Sequence, residues 1–291
     1  MGLVANLSIV FIAGLITALA TGLGAFPFFI VEEFSDRWNV VLWGIASGIM
    51  LSASVFGLLN EGLKETSGVP IILSMGVIAG ILLVVVSNKI LSSIDISSDS
   101  QENHQHNHHT DGDHDHDHHI DPTVIAKGDF RQLILILGIL TVHSFPEGVA
   151  IGVSFAEMGL EGGVPIGIAT IPVLAIFMTI AISIHNIPEG LAISIPLKSM
   201  EISRWRMVGA AIFSSLPQPL GAVIAFVFVR WAKAFLPFGF GFAAGAMIYL
   251  VFSEFIPEAL ETGDKLGSKG YTELIVGLIA GFMVMVPLIF F

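Results

Sequence analysis

The chain has 291 residues, of which 54% are hydrophobic and 12% charged, with a formal net charge of −12 and a mean hydropathy of +0.85. A water-soluble domain carries roughly 25% charged residues, so this composition excludes an ordinary globule, and the acidic balance argues against a nucleic-acid partner while suiting cations. There is no cysteine, which excludes disulfides and thiolate metal sites.

Crossing ~30 Å of hydrocarbon takes about 20 apolar residues. Charges and turn residues divide the chain into eight such spans, at about 3–31, 40–61, 69–91, 132–156, 166–196, 207–230, 235–257 and 271–291. The first lacks a basic leader and outlasts a signal-peptide core, so it is expected to be retained. Runs this long and continuous read as helices, not as the alternating ~10-residue strands of a barrel. The expected fold is an all-α polytopic membrane protein, one transmembrane domain over 1–291 embedded in a lipid bilayer.

Orientation follows from basic residues in the loops. With both ends of the eight-span chain outside, the cytoplasmic loops hold nine Lys or Arg and the outer side three. That distribution places both termini outside a cell (plasma or inner) membrane.

Span 2 reads GIASGIMLSASVFGLLNEGL and span 7 reads GFAAGAMIYLVFSEFIPEAL. At an offset of 197, Gly44, Ala46, Gly48, Met50, Glu61 and Leu63 meet the same residue types, and Leu23-Gly24-Ala25 meets Leu220-Gly221-Ala222. Corresponding spans lie five apart and cross in opposite directions. Spans 1–3 and 6–8 thus read as an inverted repeat around the pair 4–5, an arrangement that places transporter sites near the midplane. Generic small-residue helix packing is the alternative.

Between spans 3 and 4, residues 92–130 break the apolar pattern with eight of the chain's ten histidines: His104, His106, His108, His109, His114, His116, His118 and His119. Seven acids and no Lys or Arg accompany them from Asp99 to Asp121. Such a tract cannot build a core and is expected to be a disordered cytoplasmic loop that binds metal or merely links spans.

The remaining two histidines open HSFPEGVAIG at residue 143 and HNIPEGLAIS at residue 185. His143 and Glu147, like His185 and Glu189, are spaced i, i+4 and share a helix face. Carboxylates at membrane depth are costly, and no Lys or Arg in any span centre offers a counter-ion. A bound cation would supply one. Imidazole with carboxylate suits Zn²⁺, Fe²⁺, Mn²⁺, Co²⁺ or Cd²⁺ and suits Cu⁺ poorly. Protonated glutamates bonded to histidines as structural glue are the bland alternative. Pro146 and Pro188 each remove one helical hydrogen bond and free a carbonyl beside these residues.

On these motifs the chain resembles the ZIP (Zrt-/Irt-like protein) family of divalent metal transporters, in its broad-range prokaryotic branch. The resemblance implies transport rather than an enzyme, uptake toward the cytosol, a homodimer and an elevator-like movement. It implies that His143, Glu147, His185 and Glu189 bind the metal, with Met50 a further ligand. Members with two adjacent metals carry Asn, Asp and Glu where this chain has Ser144, Asn186 and Gln218, so the second metal position is expected to be weak or absent. Glu61 is expected to attract cations outside, with Glu254 and Glu258 handing them to the cytosol. Rivals are a metal-selective channel, a cation-diffusion exporter, and an intramembrane metalloprotease, whose HExxH signature is absent.

Overall fold

The structure is a computed structural model that describes residues 2–31, 34–99, 143–158, 163–167 and 169–286; of residues 91–99, Pro196 and Ser199 it describes the backbone alone. The histidine-rich tract and the expected start of span 4 lie outside the described residues.

Apolar sequence in lipid must satisfy its backbone internally, and this one does so with helices. They are α1 (Leu3–Leu23), α2 (Asp36–Lys64), α3 (Ile71–Asp99), α4 (143–154), α5 (Val173–Ser199), α6 (Arg204–Trp231), α7 (Lys233–Thr262) and α8 (Tyr271–Val284). Six are long and apolar enough to cross a membrane, α8 is a shorter apolar helix, and α4 is seen from its motif onward. The chain is a multi-pass, mainly helical membrane protein.

Three boundaries differ from the sequence expectation. Residues expected to begin span 5 instead form a hairpin, β1 (Val164–Ile166) against β2 (Ala169–Ile171). Pro165 lies in β1, Gly167 turns the chain with φ +59°, and Pro172 delays α5 to Val173. α3 runs on to Asp99, into the expected loop. α6 is interrupted at Ser215–Leu216, where Pro217 restarts it.

Two further breaks in regularity lie within long helices. Ala53–Leu59 within α2 and Val251–Phe255 within α7 are π-helical. Such segments rephase the side chains that follow and concentrate at functional sites.

Small residues set the packing. α2 lies on α8, where a Cβ added at Gly44 would come 2.5 Å from the Leu274 carbonyl oxygen and one at Gly48 2.2 Å from that of Leu278. α3 lies on α7 in the same manner, Gly241 against the Leu73 carbonyl and Gly245 against that of Val77. α1 packs on α5 and α6, and α4 approaches α6 at Gly148 and Gly152. The opposite face of α3 presents Met75, Ile78, Leu82 and Val86, an exposed stripe at helical spacing suited to lipid. Trp38 and Trp205 near one end of the bundle and Trp231 near the other are exposed, as interfacial anchors are.

Candidate metal centre

The two HxxPEG blocks lie on α4 and α5, and both helices continue through their prolines. The glycine of each block is a packing device. A Cβ at Gly148 would meet the Gln218 carbonyl oxygen at 2.3 Å, and one at Gly190 would meet that of Thr21 at 1.8 Å. Only glycine lets α4 press on α6 and α5 press on α1 this closely, and each glutamate sits one residue before the crossing.

Glu147, His185 and Glu189 form one cluster, with a ligating atom of each within 4.8 Å of the others and the residues 1%, 0% and 5% exposed. His185 Nε2 lies 3.1 Å from Glu147 Oε1. The imidazole stacks on Phe255 from the π-helical turn of α7, with centroids 5.3 Å apart and planes 24° apart. Two atoms of the cluster, His185 Nδ1 and Glu189 Oε2, are buried without a hydrogen-bond partner among the described residues. Buried polar groups are nearly always bonded, so orphaned ligating atoms inside a carboxylate–imidazole cluster mark a place for a cation.

The fourth residue of the expected set goes elsewhere. His143 Nε2 lies 3.1 Å from Glu254 Oε1 and 3.4 Å from Asn88 Oδ1, and Asn88 donates to Glu254 at 2.9 Å. His143 therefore belongs to a neighbouring group built from α3, α4 and α7, and the four expected ligands divide three and one. Met50 is buried in α2, three residues before the π-helical stretch.

Ser144, Asn186 and Gln218 are fully buried. Gln218 donates its amide N–H to Glu147 Oε2 and accepts from Thr17 Oγ1 at 2.6 Å and Asn186 Nδ2 at 3.0 Å. Asn186 also donates to the Thr17 carbonyl at 2.8 Å. A neutral hydrogen-bond network thus flanks the cluster on the Glu147 side. Glu61, near the end of α2, pairs with Lys64 at 3.1 Å. Glu258 lies one turn beyond Glu254 on α7.

Sequence reasoning missed Asn88, Thr17 and Phe255. Asn88 carried a signal, as a lone amide closing an apolar run, whereas Thr17 and Phe255 look like ordinary span residues until the helices are assembled.

The profile of the ZIP Zinc transporter family matches residues 4–288. The chain belongs to the ZIP family. It is similar to the zinc transporter ZIPB of Bordetella bronchiseptica, 31% identical over 91% of this chain and 75% of that protein. It is similar to the zinc transporter GufA of Myxococcus xanthus, 27% identical over 95% of this chain and 96% of that protein. A protein of Arabidopsis thaliana is 37% identical over 88% of this chain, which spans 35% of that protein's length. As a member of this family the chain is a metal-cation transporter of the membrane, not an enzyme.

Proposed function

We propose that this ZIP chain carries zinc-class divalent cations into the cytoplasm through a site made by Glu147, His185 and Glu189, with Met50 as a further ligand. Zinc is the preferred substrate, with Fe²⁺, Mn²⁺, Co²⁺ and Cd²⁺ as secondary ones. The observation that carries the reading is the buried cluster with two orphaned ligating atoms. Two carboxylates this deep, with no Lys or Arg on α4 or between His185 and Glu189, repel one another, and a cation between them removes that cost. The amide network beside them supports one metal, with the second position weak or absent.

The His143–Glu254–Asn88 group is the next station, and Glu258 leads from it to the cytosol. Glu61 gathers cations at the opposite mouth. Their separation follows from antiparallel α2 and α7: Gly62 abuts Phe240 at one end while Trp43 packs on Phe255, centroids 4.9 Å apart, toward the other.

The mature arrangement we infer is eight spans with both termini outside the plasma or inner membrane, in a homodimer. Spans 1–3 and 6–8 are inverted copies. The equivalent glycine crossings of α2 on α8 and α7 on α3 support that repeat, as does the matching place of the two π-helical stretches. α2, α3, α7 and α8 then form one body and α1, α4, α5 and α6 another, whose relative sliding would move the ion as an elevator does. The histidine tract meets metal after passage and buffers or delivers it.

The test is zinc influx into proteoliposomes, wild type against Glu147→Ala/Glu189→Ala. Saturable flux lost in the folded variant is the expected result. Undiminished flux in the variant would overturn the site, and flux that never saturates would favour the channel.

A further inference from the structure

The geometry points to Gln218 as the residue that sets metal preference at the proposed site, by restricting Glu147 to a single ligating oxygen. This inference deepens the site reading above and rests on it.

Pro217-Gln218-Pro219 opens the second half of α6, so Gln218 stands in the first turn after the helix break, fully buried. Gly148 lets the α4 backbone lie against the Gln218 carbonyl, which brings the adjacent Glu147 up to the side-chain amide. The orientation of that amide is dictated by its surroundings. Its oxygen accepts from Asn186 Nδ2, which is itself pinned to the Thr17 carbonyl, and lies 2.6 Å from Thr17 Oγ1, whose single proton is shared with the Gly14 carbonyl at 2.8 Å. With the Asn186 amide donating from that side, the –NH₂ must point the other way, toward Glu147 Oε2. A flipped amide would set its oxygen against a carboxylate and lose the Asn186 bond as well.

The consequence falls on Glu147. Oε2 is held by a fixed neutral donor, while Oε1 faces His185 Nε2 at 3.1 Å within the cluster. A cation among the three ligands therefore meets Glu147 through Oε1 alone. Low coordination with nitrogen and oxygen donors suits Zn²⁺, which takes four ligands. Mn²⁺ favours a six-coordinate oxygen-rich shell, and chelation by both Glu147 oxygens would move the site that way. Gln218 is a positioning residue that blocks this chelation from outside the metal's own ligand shell.

The test uses the full-length protein in lipid nanodiscs, titrated with Zn²⁺ and with Mn²⁺. Heats from Glu147→Ala/Glu189→Ala are subtracted so that the histidine tract cancels. Gln218→Met keeps the bulk and removes the donor; Thr17→Val loosens the amide from behind. The expected result is a Zn²⁺-over-Mn²⁺ preference narrowed about tenfold in Gln218→Met, in the range that partners of metal ligands command, and by less in Thr17→Val. Equal weakening of both metals, or an unchanged ratio, would make Gln218 mere packing and overturn the inference. Zinc heats in wild type no larger than those in Glu147→Ala/Glu189→Ala, leaving nothing after the subtraction, would instead overturn the site itself, and with it this inference.

Discussion

At Glu189 the demands of folding and of ion binding oppose one another, and one substitution separates them. Its carboxylate lies within 4.8 Å of a ligating atom of Glu147, in a cluster 5% exposed or less. Were both ionised, two unit charges at that distance would repel by about 3.5 kcal/mol at an effective dielectric of 20, a ceiling that a proton taken up in the metal-free site lowers. Glu189 Oε2 also lacks any hydrogen-bond partner among the described residues, and leaving a buried acceptor unmade costs about 1–3 kcal/mol more. A dication removes both penalties. Glu189→Gln removes the repulsion permanently and takes a ligand away. In chelator, the variant is expected to unfold at a higher temperature than wild type. A gain of 2–3 kcal/mol corresponds to a shift on the order of 5–10 °C. Added zinc should then raise the wild-type midpoint, by mass action on the native state, and leave the variant's unmoved. Thermal unfolding of purified protein with chelator and with zinc reads both effects. A variant no more stable than wild type in chelator, yet still stabilised by zinc, would refute the argument that these carboxylates await a cation.

The division of the histidines predicts unequal phenotypes. His185→Ala should raise the zinc concentration for half-maximal influx about tenfold or more, since it removes a ligand and not merely a ligand's partner. His143→Ala should chiefly lower the maximal rate, and concentration curves in proteoliposomes distinguish the two. Gly190→Ala should destabilise the fold by about 1–3 kcal/mol, because overpacking against the Thr21 carbonyl outweighs the ~1 kcal/mol helix gain. Gly209→Ala, with nothing within 4 Å of its added Cβ, should instead stabilise by about 0.5–1 kcal/mol, and denaturation midpoints settle both. In the turn after α4, partial burial first, then the charges of Glu65 and Glu61 and a hydrogen bond with Glu65, push the Glu157 carboxyl above its ordinary value of 4.5, against Lys233. A raised acid stabilises the folded state while protonated, and that contribution fades as pH climbs past 4.5. Wild type should therefore lose stability relative to Glu157→Gln as pH rises from 4 toward 7, a difference that thermal midpoints across that series would show.

The apolar spans were legible because hydrocarbon imposes one requirement, a continuous helix of sufficient length, and that requirement is written in composition. The pairing of Glu147 with Glu189 was legible because the HxxPEG block is repeated. What periodicity could not supply was the partner of each side chain. The i, i+4 spacing correctly puts His143 and Glu147 on one face of α4, yet Asn88 and Glu254 approach that face beside His143 and draw the imidazole to themselves. Glu254 and Phe255 sit in a π-helical stretch, so a regular 3.6-residue count would aim them wrongly. The hairpin at Val164–Ile171 was hidden by its own hydrophobicity, since short apolar strands and buried helix starts look alike in sequence.

The inverted repeat we propose reaches further than spans 2 and 7, and its imperfections carry the function. Gly148 meets the Gln218 carbonyl as Gly190 meets that of Thr21; the glycines are 42 residues apart, and Thr21 and Gln218 are separated by the repeat's own offset of 197. The two HxxPEG helices are then counterparts, each crossing one end of the repeat at its PEG glycine. A fully symmetric carrier would hold and release an ion alike on both sides. Here the counterpart of Gln218 is a threonine bonded to Ser215 at 2.8 Å, and the counterpart of Glu254 is Gly57. Among the described residues one motif glutamate, Glu147, is therefore clamped by an amide, and the repeat position of Glu254 carries a glutamate in one copy and a glycine in the other. In the carrier we propose, matched backbones permit two related end states, while unmatched side chains let each state hold the ion differently, and the ion gradient sets the direction of net passage.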